Sequence, residues 1–576
     1  MGLLFPNGKS IFPFGNSACR SHSQSCGSTS IEQIISRPGR RFWRPPGWLS
    51  PGHVRTMQCS LRNKGVSMKF SRLAASVGVI AVLTASVAAC SPSAPADVDQ
   101  PSDHVLTLSM PSAPPSLAVG SLDQGVSSYV WASVYDSLLT RDLSGAVQPS
   151  VAEKYTVSDD GLTLTFSIRE GMTFSTGEPV DAAAVAASLT FSSTAPATSA
   201  VFANVSSIDA TDDSTVTLTL SRQDTALPYQ LAQAAGVIGD PATLGSDSAA
   251  LDPVGSGPYV LDNDATTDGS TYTLELRPDY WNADAYSFKK VVVNVIADST
   301  AQQNALQAGQ LDFMSLANPA QGEALTAAGF TVQETSPVAW GAIVIADRAG
   351  EIQPALADVR VRQAINLAVD RKAIVEKLLA GVGAPTEQIF DPGSGAYDPD
   401  LNDTYAYDVA KAKSLMEEAG YADGFTVSMP SSVLSQTMEP TLTQQLGEIG
   451  ITVEWKPVPF DQIVTVLGSK TYPMYWFING YSVPQIVTND TLTPTGYLNP
   501  FGATDPELTA LLENAANASA EDADTAYRAV NQWSVENAWF APLYAYAQLV
   551  VTSKAVTFTP RTVAGLLTVE QFQPAS

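Results

Sequence analysis

Two hydrophobic periods divide this chain, and their order restricts what it can fold into. Leu162, Leu164, Phe166 and Ile168 alternate with Thr163, Thr165 and Ser167 after the turn Asp159-Asp160-Gly161. Val216, Leu218 and Leu220 repeat the pattern after Asp212-Asp213, and Tyr272, Leu274 and Leu276 repeat it again. A period of two puts one set of side chains on each face of a sheet, so these stretches predict half-buried antiparallel strands. From Asp358 the period becomes that of a helix: Val361, Ala364, Ile365, Ala368 and Val369 fall on one face. Arg360, Arg362, Gln363, Asn366 and Arg371 are expected on the remaining surface, with Asp358 as N-cap. Ile374, Val375, Leu378 and Leu379 extend the apolar set to a stop at Gly381.

The flanking segments fit the same mixture. Val105, Leu108 and Met110 predict a strand, and Tyr129 to Leu139 a helix with Val130, Val134 and Leu138 on one face. Asp408 to Tyr421 predicts a helix with a glycine stop at Gly420; Leu442, Leu446 and Ile449 form another helical face before the strand Val453-Glu454-Trp455. A β-rich first half and a second half alternating helices with strands predict an α/β chain of more than one domain.

Charge separates the first ninety residues from the rest. Residues 1–89 carry 11 of the 31 basic residues and one of the 57 acidic ones, leaving 20 basic against 56 acidic groups, a formal charge of −36. Such a surface repels nucleic acid and anionic lipid, so no nucleic-acid partner is expected. From Met68, Lys69 and Arg72 form a basic start, Leu73 to Val87 an apolar core, and Val87-Ala88-Ala89-Cys90 a small-residue site ending in cysteine. This string resembles a bacterial lipobox, which implies cleavage before Cys90 and lipid attachment to it. A membrane span is the other reading, but the 17 residues from Leu73 to Ala89, broken by Ser and Thr, are short for one. Residues 1–67 are then an upstream extension without a role in the mature protein, 68–89 a lipoprotein signal peptide, and 90–104 a lipidated flexible tether.

Cysteine and histidine counts exclude most hydrolytic chemistry. After the cleavage site the chain keeps only Cys90 and His104, so no disulfide, Ser-His-Asp triad, cysteine nucleophile or ordinary zinc site is expected. No cofactor and no metal are expected. A carboxylate pair remains open in principle, so a secreted glycoside hydrolase is one alternative; a sensory ligand receptor is another.

The order of short strings is more specific than any one of them. Tyr135-Asp136-Ser137-Leu138-Leu139, Ser158 to Phe166, Ile168-Arg169-Glu170-Gly171-Met172-Thr173-Phe174, Pro253-Val254-Gly255-Ser256-Gly257-Pro258-Tyr259, Arg277-Pro278-Asp279-Tyr280-Trp281, Ala305 to Asp312 and the Asp358–Gly381 helix pair follow one another. In sequence and spacing they resemble the family 5 solute-binding proteins, the extracytoplasmic receptors of peptide and nickel ABC importers, over about Val105 to Phe558. The resemblance implies a bilobed periplasmic-binding-protein fold of α/β class, type II, with an extra β-rich subdomain. It implies first-lobe segments at 105–140 and 255–340, the β-rich subdomain at 141–254, a second lobe at 341–542 and a return to the first lobe at 543–576. It also implies a monomeric, non-enzymatic lipoprotein on the outer face of the cytoplasmic membrane, periplasmic or at the cell surface, that passes a small solute to permease and ATPase subunits.

The expected ligand wall is the aromatic run Tyr472 to Tyr481, where the family's binding strand lies. Trp476, Asn479 and Tyr481 are the favoured contacts, with Trp340, Phe390 and Tyr497 as further wall residues. Half of the weight belongs to a plain core strand, since large aromatics are mostly buried for packing. Peptide-binding members place an aspartate here against the ligand's ammonium; Asn479-Gly480 stands in its place. A buried ammonium without a carboxylate is costly. The expected solute is therefore an oligopeptide or, better suited to amides and aromatic faces, an oligosaccharide, with Asp123 or Asp391 as substitute carboxylates.

Overall fold

The computed structural model describes residues 102–575 except 124, 126, 127 and 520. The leader, the expected lipidation site Cys90 and the tether as far as residue 101 lie outside the described residues. Among the described residues no helix is long and apolar enough to cross a membrane.

The first lobe is built on a four-stranded sheet. Leu106–Met110 lies parallel to Lys290–Val295, which pairs antiparallel with Thr271–Leu276, which in turn pairs with Tyr259–Leu261. Leu106, Leu108 and Met110 are fully buried; Leu108 and Met110 match the expected strand, whereas Val105 lies exposed before it and Leu106 takes the inward position. The preceding residues are not free: Ser102 N–H donates to Ser287 O (2.7 Å), and His104 Nε2 stands 3.0 Å from Asp312 Oδ2. The expected helix Tyr129–Leu139 is shorter, Ser128–Val134. Its continuation is cut because the Val134 carbonyl accepts from Gly257 N (2.9 Å), and Leu138 N–H bonds to Gly236 O instead. A Cβ on Gly255 would lie 2.2 Å from that same Val134 oxygen, so the glycine turn exists to let the two backbones meet.

Two of the three alternating stretches form a separate antiparallel sheet in the order Ala152–Val157, Thr163–Ile168, Thr215–Leu220, Val205–Asp212, while the third, within Thr271–Leu276, lies in the first-lobe sheet. Leu164 faces Leu218 and Phe166 faces Val216, while Thr165 pairs with Thr217 on the other side. The apolar face packs with Val185 and Leu189 of the helix Ala182–Thr194, which Asp181 caps by accepting from Ala184 N.

The second lobe contains the sheet Ala384–Pro385, Phe540–Tyr546, Ala339–Ile345, Met474–Gly480 and a parallel pair, Phe425–Ser431 with Ile451–Pro457. The helices Val359–Leu367, Arg371–Leu378, Val409–Glu418 and Glu439–Gly447 supply its inner core. Asp358 caps as expected, accepting from Arg360 N at 2.9 Å. The surface placement of three polar residues is overturned: Arg362, Asn366 and Arg371 are 7%, 1% and 6% exposed. They are buried because loop carbonyls need donors. Arg362 serves Leu356, Ala357 and Asn537; Arg371 serves Thr386, Pro542, Asn366 and Tyr405. Burial lowers the Arg371 guanidinium to about 10.

Two extended segments join the lobes side by side. Thr331–Glu334 pairs with Leu549–Thr552, and after residues 335–338 the chain continues as Ala339–Ile345, paired with Phe540–Tyr546. Thr335 N–H to Gln548 O and Val338 N–H to Tyr546 O, both 2.8 Å, stitch the crossing.

Candidate ligand cleft at the hinge

A cavity of about 460 Å³ opens beside these crossing strands, within the range of small-molecule sites. The second lobe contributes Ala339, Ile478, Asn479, Gly480 and Tyr546; the crossing contributes Thr335, Ser336, Val338 and Gln548. Gly125 and Ser128 belong to the first lobe, and residues 550–571 return to it with Phe558, Arg561, Leu566 and Gln571 along the wall.

Among the described lining residues Arg561 is the only charged side chain, and its donors are occupied. Nε donates to Leu566 O (2.9 Å), Nη1 to Arg141 O and Asp142 O, and Nη2 to Thr568 Oγ1 and Glu570 Oε1. Burial lowers its pKa, with the Glu570 carboxylate opposing that shift. Arg561 therefore pins the returning segment to Arg141 and Asp142 and offers no open donor. Ser128 and Ser336 hydroxyls likewise donate to Leu567 O and Arg561 O. The side-chain amide of Gln548 and the Nδ2 of Asn479 carry no hydrogen bond among the described residues and face a largely apolar wall. Chemically, these two amides can hydrogen-bond to neutral groups.

Strand geometry distributes the expected contacts over both faces of the sheet. Asn479 lines the cleft and accepts from the Tyr497 hydroxyl, so these two are brought together. Trp340 is the register partner of Asn479 but is fully buried, edge-on to Phe540 at 5.7 Å between ring centres. Tyr481 is buried with it in the outer core, and Phe390 lies in the same cluster. Trp476, three residues before Asn479, points to the opposite face and packs in the inner core with Ile343. Of the substitute carboxylates, Asp391 is buried and accepts from Gly393 N and Ala564 N, with burial raising its pKa. Asp123 accepts from Gly125 N through Oδ2. Thr335, Gln548 and the 558–571 wall were not singled out by sequence reasoning. They have no motif, and only their distance from the sheet in sequence, together with the expected return to the first lobe, hints at them. Among the described residues no group of three or more His, Cys, Asp or Glu is arranged to hold a metal ion.

A second, smaller cavity in the first lobe is lined by Asp136, Arg141, Tyr286 and Glu570. Asp136 accepts from Tyr280 Oη (2.8 Å) through one oxygen, while the other has no well-formed hydrogen bond among the described residues; burial raises its carboxyl to about 6, with Tyr280, Ser256 and Trp281 opposing the shift.

Comparison with known proteins places these features in a wider set. The family model described as bacterial extracellular solute-binding proteins, family 5 Middle, matches residues 146–501. The glutathione-binding protein GsiB of Salmonella paratyphi A is 30% identical over 378 residues, 63% of this chain and 72% of that protein. GsiB of Escherichia coli O1:K1 is 28% identical over 377 residues with the same coverage. Among solved structures, NikA from Brucella suis in complex with Fe(III)-EDTA aligns with a TM-score of 0.72 at 21% identity, covering 82% of this chain and 100% of that one. DppA from Helicobacter pylori with the peptide STSA gives 0.68 at 20% identity, covering 82% and 98%. At these identities the solved structures show a shared bilobed fold.

Proposed function

This chain belongs to the bacterial extracellular solute-binding proteins of family 5, an extracytoplasmic solute receptor of an ABC importer, and from that premise we propose that its hinge cleft takes an uncharged, hydroxyl-rich solute of oligosaccharide type. One observation carries the reading: among the described residues lining the cleft no carboxylate appears, and the one cation, Arg561, is fully engaged. A free peptide brings an ammonium and a carboxylate, and glutathione, for which the GsiB relatives are named, brings one ammonium and two carboxylates. Desolvating these without charged partners costs several kcal/mol, of order 2–5. Neutral hydroxyls meet the amides of Asn479 and Gln548 without that cost.

Capture follows from differential contact. A solute touching both Asn479 of one lobe and the 558–571 wall of the other binds the closed form better and shifts the population towards it. The proposal includes a lipid anchor at Cys90, a second lobe spanning about 339–546 and no turnover of the bound solute. Mass spectrometry of solute released by denaturing protein purified from its own host is the direct test, followed by calorimetric titration. Neutral oligosaccharide is expected in the released fraction and in the titration. Tight binding of glutathione or unblocked di- and tripeptides, with none of oligosaccharides, overturns the solute class.

A further inference from the structure

The lobes also touch away from the hinge, through the β-rich subdomain. The loop after the strand Thr215–Leu220 reaches the second lobe at the first turn of the helix Pro484–Thr491. Gln485 sits at the centre: its Oε1 accepts from Thr225 Oγ1 (2.5 Å) and Ala226 N (3.1 Å), and its Nε2 donates to Asp224 Oδ1 (3.1 Å). Beside it Gln223 Nε2 donates to Ala518 O (3.2 Å), and the Tyr527 hydroxyl stands against Thr225 and Asp224. Asn204 Nδ2 holds the other Asp224 oxygen at 2.8 Å, so the carboxylate is oriented before the lobes meet. None of these residues lines the hinge cleft.

We propose that Gln485, clasped by Asp224, Thr225 and Ala226, is an affinity-setting residue outside the cleft: a latch by which the β-rich subdomain holds the closed form. The inference rests on the reading that the lobes close on a solute. Hinge bonds persist when the lobes rotate, because they lie within the crossing strands. The Gln485 bonds join groups far apart in sequence and on different lobes, so opening must break all three. The Ala226 N–H also donates to Asp224 Oδ1 (3.2 Å) and keeps that bond on opening, and the side chains of Asp224, Thr225 and Gln485 are only part-buried, which keeps the net effect modest; one charge-assisted and two neutral bonds shift the open-to-closed ratio by about tenfold. Apparent solute affinity scales with the closed fraction, so the latch tunes affinity without touching the solute.

Gln485→Glu tests this in the full chain, since it sets a second carboxylate against that of Asp224 while keeping size and the acceptor for Ala226 N–H. Small-angle scattering and hydrogen exchange are read on solute-free protein. The expected result is a larger radius of gyration and about tenfold faster exchange of the Ala226 amide. Adding Asp224→Asn to the same chain is expected to restore both, because an amide donor again faces an acceptor; Gln485→Ala should move both in the same direction by less. Unchanged values in Gln485→Glu, or a change that Asp224→Asn does not reverse, overturn the latch. A Gln485→Glu radius of gyration that rises as expected but fails to shrink when solute released from the native protein is added back overturns the closure reading itself, so the two failures are distinct.

Discussion

The helix pair 359–378 and the strand Met474–Gly480 belong to the same lobe and use their polar groups in opposite ways. In the helix pair Arg362 and Arg371 bond to carbonyls, and Asn366 donates to Phe540 O. At the strand one donor is left over beside the cavity: Asn479 Nδ2 opens on the cleft, whereas Tyr475 Oη, Trp476 Nε1 and the neighbouring Tyr481 Oη, without partners among the described residues, lie inside the cores away from it. Saturated hydrogen-bond capacity marks scaffold. Unused capacity next to a cavity marks a place where a solute can bind.

The largest test of this contrast is Arg371→Met. It strands the carbonyls of Asn366, Thr386, Tyr405 and Pro542 and leaves the buried Glu387 without its nearby cation, so a loss of about 3–5 kcal/mol in denaturant unfolding is expected.

Asp136 lies between the extremes, one oxygen bonded and one without a well-formed hydrogen bond among the described residues. Its folded pKa of about 6 exceeds the ordinary 3.8, chiefly through burial. The folded chain therefore holds this proton more tightly than the unfolded chain. The stabilisation is present below about pH 4 and is lost as pH rises through 6, up to about 3 kcal/mol. Asp136→Asn should flatten the pH–stability curve between 4 and 6; an unchanged slope counts against the assignment. Asp490, also raised to about 6 by burial, adds a contribution of the same sign that this variant leaves in place.

Asn479→Ala sharpens the comparison on the binding side. Solute affinity should fall about tenfold by calorimetry while the unfolding midpoint moves little, because the bond lost within the protein is that from the Tyr497 hydroxyl, whose residue is 40% exposed and can bond to water instead. Asp358→Ala removes the cap on Arg360 N and should cost about 1 kcal/mol in thermal unfolding. Smallest of all, Tyr475→Phe deletes a hydroxyl that has no hydrogen-bond partner among the described residues and should leave stability within about 0.5 kcal/mol.

Much of the fold was legible locally. Two of the alternating stretches pair in the subdomain sheet with the expected faces and the third pairs in the first-lobe sheet, and Asp358, Asp408 and Gly420 mark helix ends as expected. Errors arose where a partner distant in sequence intervened: Gly257 claimed the Val134 carbonyl and ended a helix, and loop carbonyls drew Arg362, Asn366 and Arg371 inward. The site was less legible still. Asn479 was named from its neighbourhood, but Gln548, Thr335 and the Arg561 segment were not, since a cleft is assembled from chain segments that share no local pattern.

Periodicity, capping residues and the order of short strings by themselves determined the strands, the helices, the α/β class and the family, because each depends on neighbours within a few turns of chain or on a linear order. Only the tertiary structure decided which side of Met474–Gly480 meets the cleft, that Arg561 has no donor left for a solute, and that Gln485 finds Asp224. Those outcomes depend on which distant groups compete for the same hydrogen bonds, and that competition begins only when the lobes pack.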